Sequence, residues 1–328
     1  MKWIHCILIA AWFGAFSFPA VSCDIKSEHA ERWNELNGAG EEAYGANDLA
    51  KAQRLFEQAL GEADKQHLEI ERASTLNDLG LVYRLKKDYG KSEAALKEAL
   101  SIRERRLGTD ANCTGVTLNN LAELYFDQGR LELAETSYKR ALKSTEHSGS
   151  DPLHTANVLN NLGAFYYSQD RLDDAEPYLR RALDAFKKIR ADNNSAEDAG
   201  VRLERVVAEF NGDRPPPPET ARIKDLREAL LNVYRRSHRY AQFRELYLDF
   251  LRDNPKVTPV NELRAAHAFT QQAEDLAAQG KTDDAEAMYN RALAAFEFAG
   301  EIGSSDAKVA QGKYDVFKKR TAGKAVDK

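Results

Sequence analysis

The stretch TLNNLAELYFDQGRLELAETSYKRAL, Thr117–Leu142, decides the fold of this chain. Its first half carries Leu118, Leu121 and Tyr125 at spacings of three and four residues, which place apolar side chains on one face of a helix. The turn residues DQGR interrupt that helix, and the second half repeats the helical spacing with Ala at two points. The stretch therefore predicts two helices joined by a short turn.

The same pattern returns along the chain in register. Blocks that begin LNDLGLVY, LNNLAELY and LNNLGAFY start at Leu76, Leu118 and Leu159, and an earlier copy ends with LAKAQRLFEQAL at Leu49–Leu60. A single pair of helices cannot bury its apolar face, so such units have to stack on one another. The repeats therefore predict an elongated stack of helix pairs.

These residues resemble the tetratricopeptide repeat family, in which Leu-Gly/Ala and Tyr on a first helix are followed by Ala and Ala-Leu on a second. The usual period of that family is about 34 residues. The longer period of about 42 residues, counted from the aligned Leu residues, is similar to the kinesin-light-chain type of the repeat. The resemblance implies an all-α, right-handed solenoid of helix-turn-helix units.

The pattern stops after Arg190 and resumes further on. Four consecutive prolines, Pro215–Pro218, favour an extended spacer. Beyond them, LREALLNVYRRSHRYAQFRELYLDFLRDNP and FTQQAEDLAAQGKTDDAEAMYNRALAAFE are interpreted as a second array. Phe243 and Phe250 stand where Ala is expected, so the first of these units is predicted to pack differently or more loosely.

The predicted organisation has five parts. They are a signal peptide at 1–22, an N-terminal array of about four repeats at 23–192, a linker with a short helix and the tetraproline at 193–219, a C-terminal array of about two repeats at 220–300, and a capping helix with a tail at 301–328.

The N-terminus predicts export. Lys2 precedes an apolar run, Trp3–Phe18, and small residues follow at Ala20 and Ser22, as in a secretory signal that is cut before Cys23. The run is short for a permanent membrane span. The same position fits a bacterial lipoprotein signal, although Ala20 stands where a typical signal has Leu. We expect an exported chain, periplasmic or envelope-associated, with Cys23 as a candidate lipidation site and membrane anchor.

Cysteines are sparse. Cys6 leaves with the predicted signal peptide, so that Cys23 and Cys113 remain in the mature chain. Two cysteines do not make a disulfide framework. We interpret Cys113 as an unpaired small residue, and a bridge between it and Cys23 is the alternative.

The composition and motifs argue against several classes of function. The net charge of −5 over 328 residues gives no basic field for nucleic acid. The segment YRRSHRY, Tyr234–Tyr240, could stack on nucleic acid or an anionic lipid, and we interpret it as a turn between helices. No phosphate loop, nucleophile elbow or paired zinc histidines occur. We predict no catalytic centre, no cofactor and no metal.

The paired asparagines suggest a binding surface. In the tetratricopeptide family the first helices line a concave groove that contacts bound peptide, and an Asn amide offers both the donor and the acceptor that a peptide backbone needs. Alternatively, the amides bond neighbouring repeats to one another or cap helix ends. Carried over residue by residue, the candidate groove comprises Asn77, Asp78, Arg84, Asn119, Asn120, Glu123, Phe126, Asn157, Asn160, Asn161 and Tyr167.

These features predict a non-catalytic scaffold or adaptor at the cell envelope that binds a partner peptide or helix in the groove. One alternative is a self-assembling module of an envelope complex with no peptide ligand. A third possibility is a small-molecule carrier or an enzyme, with a pocket where the two arrays meet. The identity of the partner, the oligomeric state and the angle between the arrays stay open.

Overall fold

The structure, a computed structural model, describes residues 30–148, 151–196, 218–253, 257–301 and 303–326. The predicted signal peptide, Cys23, the short linker helix and Pro215–Pro217 lie outside the described residues. Helices dominate the described residues and none of these residues forms a strand. The all-α expectation is therefore confirmed.

Thirteen helices occupy the described residues. They are α1 Glu31–Gly45, α2 Leu49–Lys65, α3 Glu69–Leu85, α4 Tyr89–Leu107, α5 Asn112–Asp127, α6 Leu131–Ser148, α7 Pro152–Ser168, α8 Leu172–Ala196, α9 Pro218–Arg236, α10 Tyr240–Arg252, α11 Pro259–Ala278, α12 Thr282–Phe298 and α13 Ser305–Val326. The chain divides into two compact units, 1–198 with α1–α8 and 199–328 with α9–α13.

The first unit consists of four helix pairs stacked in chain order. Within each pair the first helix packs on the second, and each second helix also packs on the first helix of the next pair. The first helices α1, α3, α5 and α7 touch their neighbours in the same order. Each repeat therefore contacts only the adjacent repeats, as expected of a solenoid.

A small residue at one position of the first helix lets the two helices of a pair approach. Gly80, Ala122 and Gly163 share this position in three repeats, and Ala122 is fully buried there. A Cβ atom added to Gly80 would lie 2.5 Å from Cγ of Leu96, and one added to Gly163 would lie 2.7 Å from Cδ2 of Leu179. The repeated Leu-Gly/Ala of the sequence therefore sets the spacing of each helix pair.

The repeated Tyr and the Arg five residues after it stack at the turn between the paired helices. The guanidinium carbon lies 4.6 Å from the ring centroid in Tyr125–Arg130 and 4.4 Å in Tyr166–Arg171. Nη1 of Arg130 also lies 2.7 Å from a carboxylate oxygen of Glu93, on the second helix of the preceding repeat. The QGR and QDR turns thus help to bind each repeat to the one before it.

In the second unit, α9 packs on α10, α11 on α12, and α12 also contacts α10 and α13. Phe243 stands where Ala was expected, and it is almost fully buried, with the guanidinium carbon of Arg291 5.9 Å from its ring. Phe250 is half-buried and stacks on Tyr247 at 5.9 Å. The large side chains therefore fill this position, so the unit packs differently from the first array.

Two helix ends differ from the linker bounds expected from the sequence. Helix α8 runs on to Ala196, so that the first four residues of the expected linker continue that helix. Helix α9 begins at Pro218, the last residue of the tetraproline. Proline is well suited to the first helical position, where its missing N–H has no partner to lose.

The interpretation of Cys113 as an unpaired thiol is wrong. Cys113, near the start of α5, is disulfide-bonded. The chain has only three cysteines, and the other two, Cys6 and Cys23, lie outside the described residues. Sequence spacing does not reveal such a pairing, because it requires two cysteines to be close in space, whatever their separation along the chain.

Candidate functional site

The paired asparagines form a regular set of positions on the first helices. We call the two adjacent positions of each repeat the first and second ladder positions, and the hydrogen-bonded set the amide ladder. The first ladder position is occupied by Asn37, Asn77, Asn119 and Asn160, and the second by Gly38, Asp78, Asn120 and Asn161.

Hydrogen bonds run from the second ladder position of one repeat to the first ladder position of the preceding repeat. Nδ2 of Asn120 donates to Oδ1 of Asn77 over 2.9 Å. Nδ2 of Asn161 donates in the same way to Oδ1 of Asn119 over 3.1 Å, and also to Glu123 over 2.9 Å. The amides therefore connect neighbouring repeats side by side, as in the structural alternative considered for them.

The earliest rung has the reverse polarity. Asn37 donates from Nδ2 to Oδ2 of Asp78 over 3.5 Å, because a carboxylate stands at the second ladder position there and can only accept. Thr75 donates from its hydroxyl to Oδ1 of Asn37 over 3.2 Å, and Trp33 donates from Nε1 to Thr75 over 2.8 Å. This end of the ladder is therefore closed by buried side chains.

The last repeat of the first unit, α7–α8, leaves the ladder open. Asn160 holds the first ladder position of that repeat, and no described first helix follows with a second-position donor for its oxygen. Within the described chain its side chain makes one hydrogen bond, from Nδ2 to Oδ1 of Asn161 over 3.4 Å. Asn160 and Asn161 are half-buried, whereas Asn77, Asn119 and Asn120 are less than one-tenth exposed.

Charged candidates form a compact ion-pair group beside the ladder. Arg84 lies 2.7 Å from Glu123 and 3.2 Å from Asp127, and its side chain is 11% exposed. Burial disfavours the charge of Arg84, but Glu123 and Asp127 outweigh it and raise the pKa of the guanidinium. Burial raises the pKa of Asp127 in spite of Arg84. The predicted residues Arg84 and Glu123 are thus brought together.

The remaining predicted groove residues are Phe126, Asn157 and Tyr167, none of which stands at a ladder position. Phe126 is half-buried and meets Phe165 edge to face at 5.9 Å between ring centroids. Tyr167 is buried and Asn157 is half-buried, both on α7. Asn157 precedes Asn160 by three residues, so the two are neighbours on the helix surface, whereas Tyr167 lies about two turns after Asn160.

Sequence reasoning missed a buried polar group between repeats. Arg103 is almost fully buried and donates to the carbonyl oxygen of Cys113 over 3.0 Å, to Thr117 over 2.6 Å and to Ser74 over 3.2 Å. Burial lowers the pKa of Arg103 to about 10. It occurs in one repeat only, so no repeated residue in the sequence could have drawn attention to it.

A second missed group lies at the start of α7. His154 is buried, and its Nδ1 lies 2.6 Å from Nδ2 of Asn112 and 3.3 Å from Asp151. Burial lowers the pKa of the His154 imidazole, with Arg103 acting in the same direction and Asp151 opposing both. This histidine therefore links the start of α7 to the start of α5.

The second unit holds a cleft of 690 Å³ lined by α10, α12 and α13, with residues that include Tyr240 and Arg244. On its floor, Asn290 donates to the hydroxyl of Tyr314 over 3.1 Å, and that hydroxyl donates to Glu286 over 2.8 Å. The turn YRRSHRY ends at this cleft, with Tyr240 buried and His238 exposed at its edge. The cleft lies within the second unit.

The described residues contain no group of three or more His, Cys, Asp or Glu side chains arranged to hold a metal ion. No described helix combines the length and the apolar character needed to cross a membrane.

Comparisons with solved structures give several similar folds. The crystal structure of BtubC (BKLC) from P. vanneervenii has 24% identity and a TM-score of 0.44 over 53% of this chain and 70% of that one. A Podosopora anserina putative kinesin light chain with nearly identical TPR-like repeats has 13% identity and a TM-score of 0.43 over 67% and 93% of the two chains. A Rap protein complexed with competence and sporulation factor has 15% identity and a TM-score of 0.49 over 90% and 79%.

No curated protein matches the chain. Family models of the tetratricopeptide repeat match residues 71–147, 155–190 and 266–291, which fall on α3–α6, α7–α8 and α11–α12. The matches coincide with the helix pairs and with the repeated small residues that set their spacing. The chain is a tetratricopeptide repeat protein.

Proposed function

We propose that the first-helix face of the N-terminal unit binds a segment of a partner protein, and that the chain is a non-catalytic scaffold. The tetratricopeptide fold supports a protein-interaction role. A fold does not name a process, so the proposal rests on the amide ladder and its open end.

The observation that carries the proposal is the unfilled rung at Asn160. At every earlier rung the first ladder position is bonded to the next repeat, whereas Oδ1 of Asn160 has no hydrogen bond within the described chain. A partner that supplies a backbone N–H there would continue the ladder by one step. An Asn side chain can also return a donor to the partner's carbonyl, so that both backbone groups are satisfied.

The closed rungs contribute rigidity. Because Asn120 and Asn161 are each bonded to the preceding repeat, the first helices are held at a fixed spacing before any partner arrives. A preorganised face loses less conformational entropy on binding than a mobile one. We therefore assign the closed rungs to the shape of the face and Asn160 to direct contact with the partner.

The test is site-specific photo-crosslinking in the source cells. A benzoylphenylalanine at position 160 is expected to crosslink one defined segment of another protein. The matched control is the same photo-residue at Lys143, which is exposed on the second helix α6. Crosslinks from position 160 only to another copy of this chain, or the same products from both positions, would contradict the proposal.

We further propose that the chain is exported, with cleavage before Cys23, and that it acts at the cell envelope. The charged start, the apolar run and the small residues before Cys23 support this. Intact mass of the native protein tests it. A species that begins at Cys23 is expected. A lipid on its sulfur would identify a membrane anchor and would exclude a bridge between Cys23 and Cys113, because the same sulfur cannot carry both. A mass that retains Met1 would overturn export.

A further inference from the structure

The outward face of α13 in the second unit differs from the rest of the surface. Helix α13 packs on α12 and α11 through Ala307, Ala310, Tyr314 and Phe317. These four positions form the buried stripe of the helix. The face on the other side of α13 is therefore open to solvent and was expected to be polar, as in a capping helix.

Two large apolar side chains lie on that open face. Val309 is 55% exposed and Val316 is 48% exposed, with the exposed Gly312 between them. The positions Val309, Gly312, Val316 and Lys319 are separated by three, four and three residues. That is the spacing of the seam positions of a helix that packs against a single partner helix.

Unpaired cations lie at one seam position, Lys319, and on both sides of the seam, at Lys308 and Arg320. Lys308, Lys319 and Arg320 are exposed, and none of them forms an ion pair with another described residue. In contrast, Lys313 is 2.9 Å from Glu274. At 100° per residue, Lys308, the four seam positions and Arg320 fall within an arc of about 120° around the helix axis.

The net charge of α13 is positive, whereas that of the whole chain is negative. The sequence of α13, Ser305–Val326, holds six basic and two acidic residues, whereas the whole chain has a net charge of −5. One of the two acidic residues, Asp315, accepts a hydrogen bond from Gln311 over 2.9 Å. The cations that border the seam therefore present an uncompensated positive field to an approaching molecule.

We propose that this face of α13 docks an acidic amphipathic helix of a partner protein. Val309 and Val316 would contact the apolar stripe of that helix, and Gly312 would let its backbone come close. Lys308 and Arg320 stand at the flanking positions, where they attract Glu or Asp on the partner. This surface is separate from the ladder in the first unit, and its partner need not be the same protein.

Two other occupants of this face are disfavoured, one by charge and one by the small number of exposed apolar side chains. The same face of a second copy would bring like charges together, which disfavours a symmetric dimer through α13. An anionic membrane would be attracted to the cations. However, Tyr314 and Phe317 are buried in the unit, so that among the described side chains of this face Val309 and Val316 are the large apolar ones available for insertion.

The test uses the full chain and two synthetic helices of about three heptads, both with Leu at the seam positions. One carries Glu at the flanking positions and the other carries Lys, and binding is followed by fluorescence anisotropy. The variant Lys308→Glu/Lys319→Glu/Arg320→Glu reverses the field. The matched control, Lys51→Glu/Lys87→Glu/Lys143→Glu, changes three exposed lysines of the first unit.

The wild-type chain and the control variant should prefer the Glu helix by roughly tenfold or more, because several flanking pairs change from attraction to repulsion. The reversed variant should prefer the Lys helix. The variant Val309→Ser/Val316→Ser should weaken binding of the Glu helix without inverting the preference.

Four results would overturn the proposal. They are no binding of either helix, an equal loss of binding in the control variant, binding to phosphatidylglycerol vesicles in place of the helix, and self-association that disappears in the reversed variant. The last two would assign the face to a membrane surface or to a second copy.

Discussion

Asn161 donates from Nδ2 to Oδ1 of Asn119, 42 positions earlier, over 3.1 Å. Each residue belongs to one of the two Asn pairs of the repeated sequence LNNL, Asn119–Asn120 and Asn160–Asn161. The bond shows what most of these amides do: they connect one repeat to the next. Among the first ladder positions, Asn160 at the open end is the one whose amide oxygen accepts no hydrogen bond within the described chain.

Removal of a closed rung should destabilise the fold. Asn119→Ala removes one of the two acceptors of the half-buried Asn161 and also a donor to Glu123. Each hydrogen bond of this kind contributes about 0.5–1.5 kcal/mol. Urea unfolding of the full chain, followed by circular dichroism, measures the change in free energy of unfolding.

Asn160→Ala is the matched control for that measurement, because its side chain makes one long hydrogen bond and is half-buried. We expect it to change the free energy of unfolding by less than about 0.5 kcal/mol. Equal losses for Asn119→Ala and Asn160→Ala would show that the closed and open rungs do not differ.

The small position of the first helix should not accept a larger side chain. Gly163→Val would place Cβ 2.7 Å from Cδ2 of Leu179, and overpacking of this kind costs about 1–3 kcal/mol. Thermal unfolding should show a lower Tm. Because Leu179 supplies the clash, Gly163→Val/Leu179→Ala should be less unstable than the sum of the two single changes. Simple additivity would indicate that the two residues do not interact.

His154 should make stability fall in mild acid. Burial lowers its folded-state pKa, and an unfolded histidine titrates near 6.5. The unfolded chain therefore binds more protons between these two values, so that the stability associated with neutral His154 is lost as pH falls through 6.5. His154→Gln should flatten the decline in unfolding free energy between about pH 7 and 5.

His147→Gln is the control for that pH profile, since His147 is exposed at the end of α6. It should leave the profile unchanged. An unaltered slope in His154→Gln would show that His154 does not govern the acid sensitivity.

The Tyr–Arg stack at the turn should contribute modestly to the free energy of unfolding. Arg130→Ala removes the guanidinium over Tyr125 and the pair with Glu93, and we expect a loss of about 0.5–1 kcal/mol because the Arg130 side chain is 41% exposed. Arg140→Ala is the control, since Arg140 pairs with Glu104 at 2.7 Å but lies over no ring. Chemical denaturation of both variants tests this, and a larger loss in Arg140→Ala would refute the role of the stack.

The sequence was sufficient to predict the helix pairs and their stacking. Leu118, Tyr125 and Ala134 recur at fixed intervals, and each has a repeated packing role that a pattern can reveal. The small position, with Ala122 and the glycines aligned with it, was likewise visible as Leu-Gly/Ala.

The use of the asparagines could not be predicted. The Asn120 amide could donate either to a ligand or to Asn77 in the preceding repeat. Which of the two it does depends on the distance between adjacent first helices, and that distance is fixed only when the repeats stack. Arg103 and His154 were missed for a related reason. Each occurs in one repeat, so their surroundings come from chain segments that share no pattern.

The central claim is that the partner is held at the open end of the ladder. It is tested most directly by the affinity of the segment that crosslinks to position 160, measured by anisotropy with the wild-type chain and with Asn160→Ala. The account predicts roughly tenfold weaker binding at unchanged unfolding free energy, because a direct hydrogen-bonding group is lost. Unchanged affinity in Asn160→Ala would contradict it and would place the partner elsewhere on the chain.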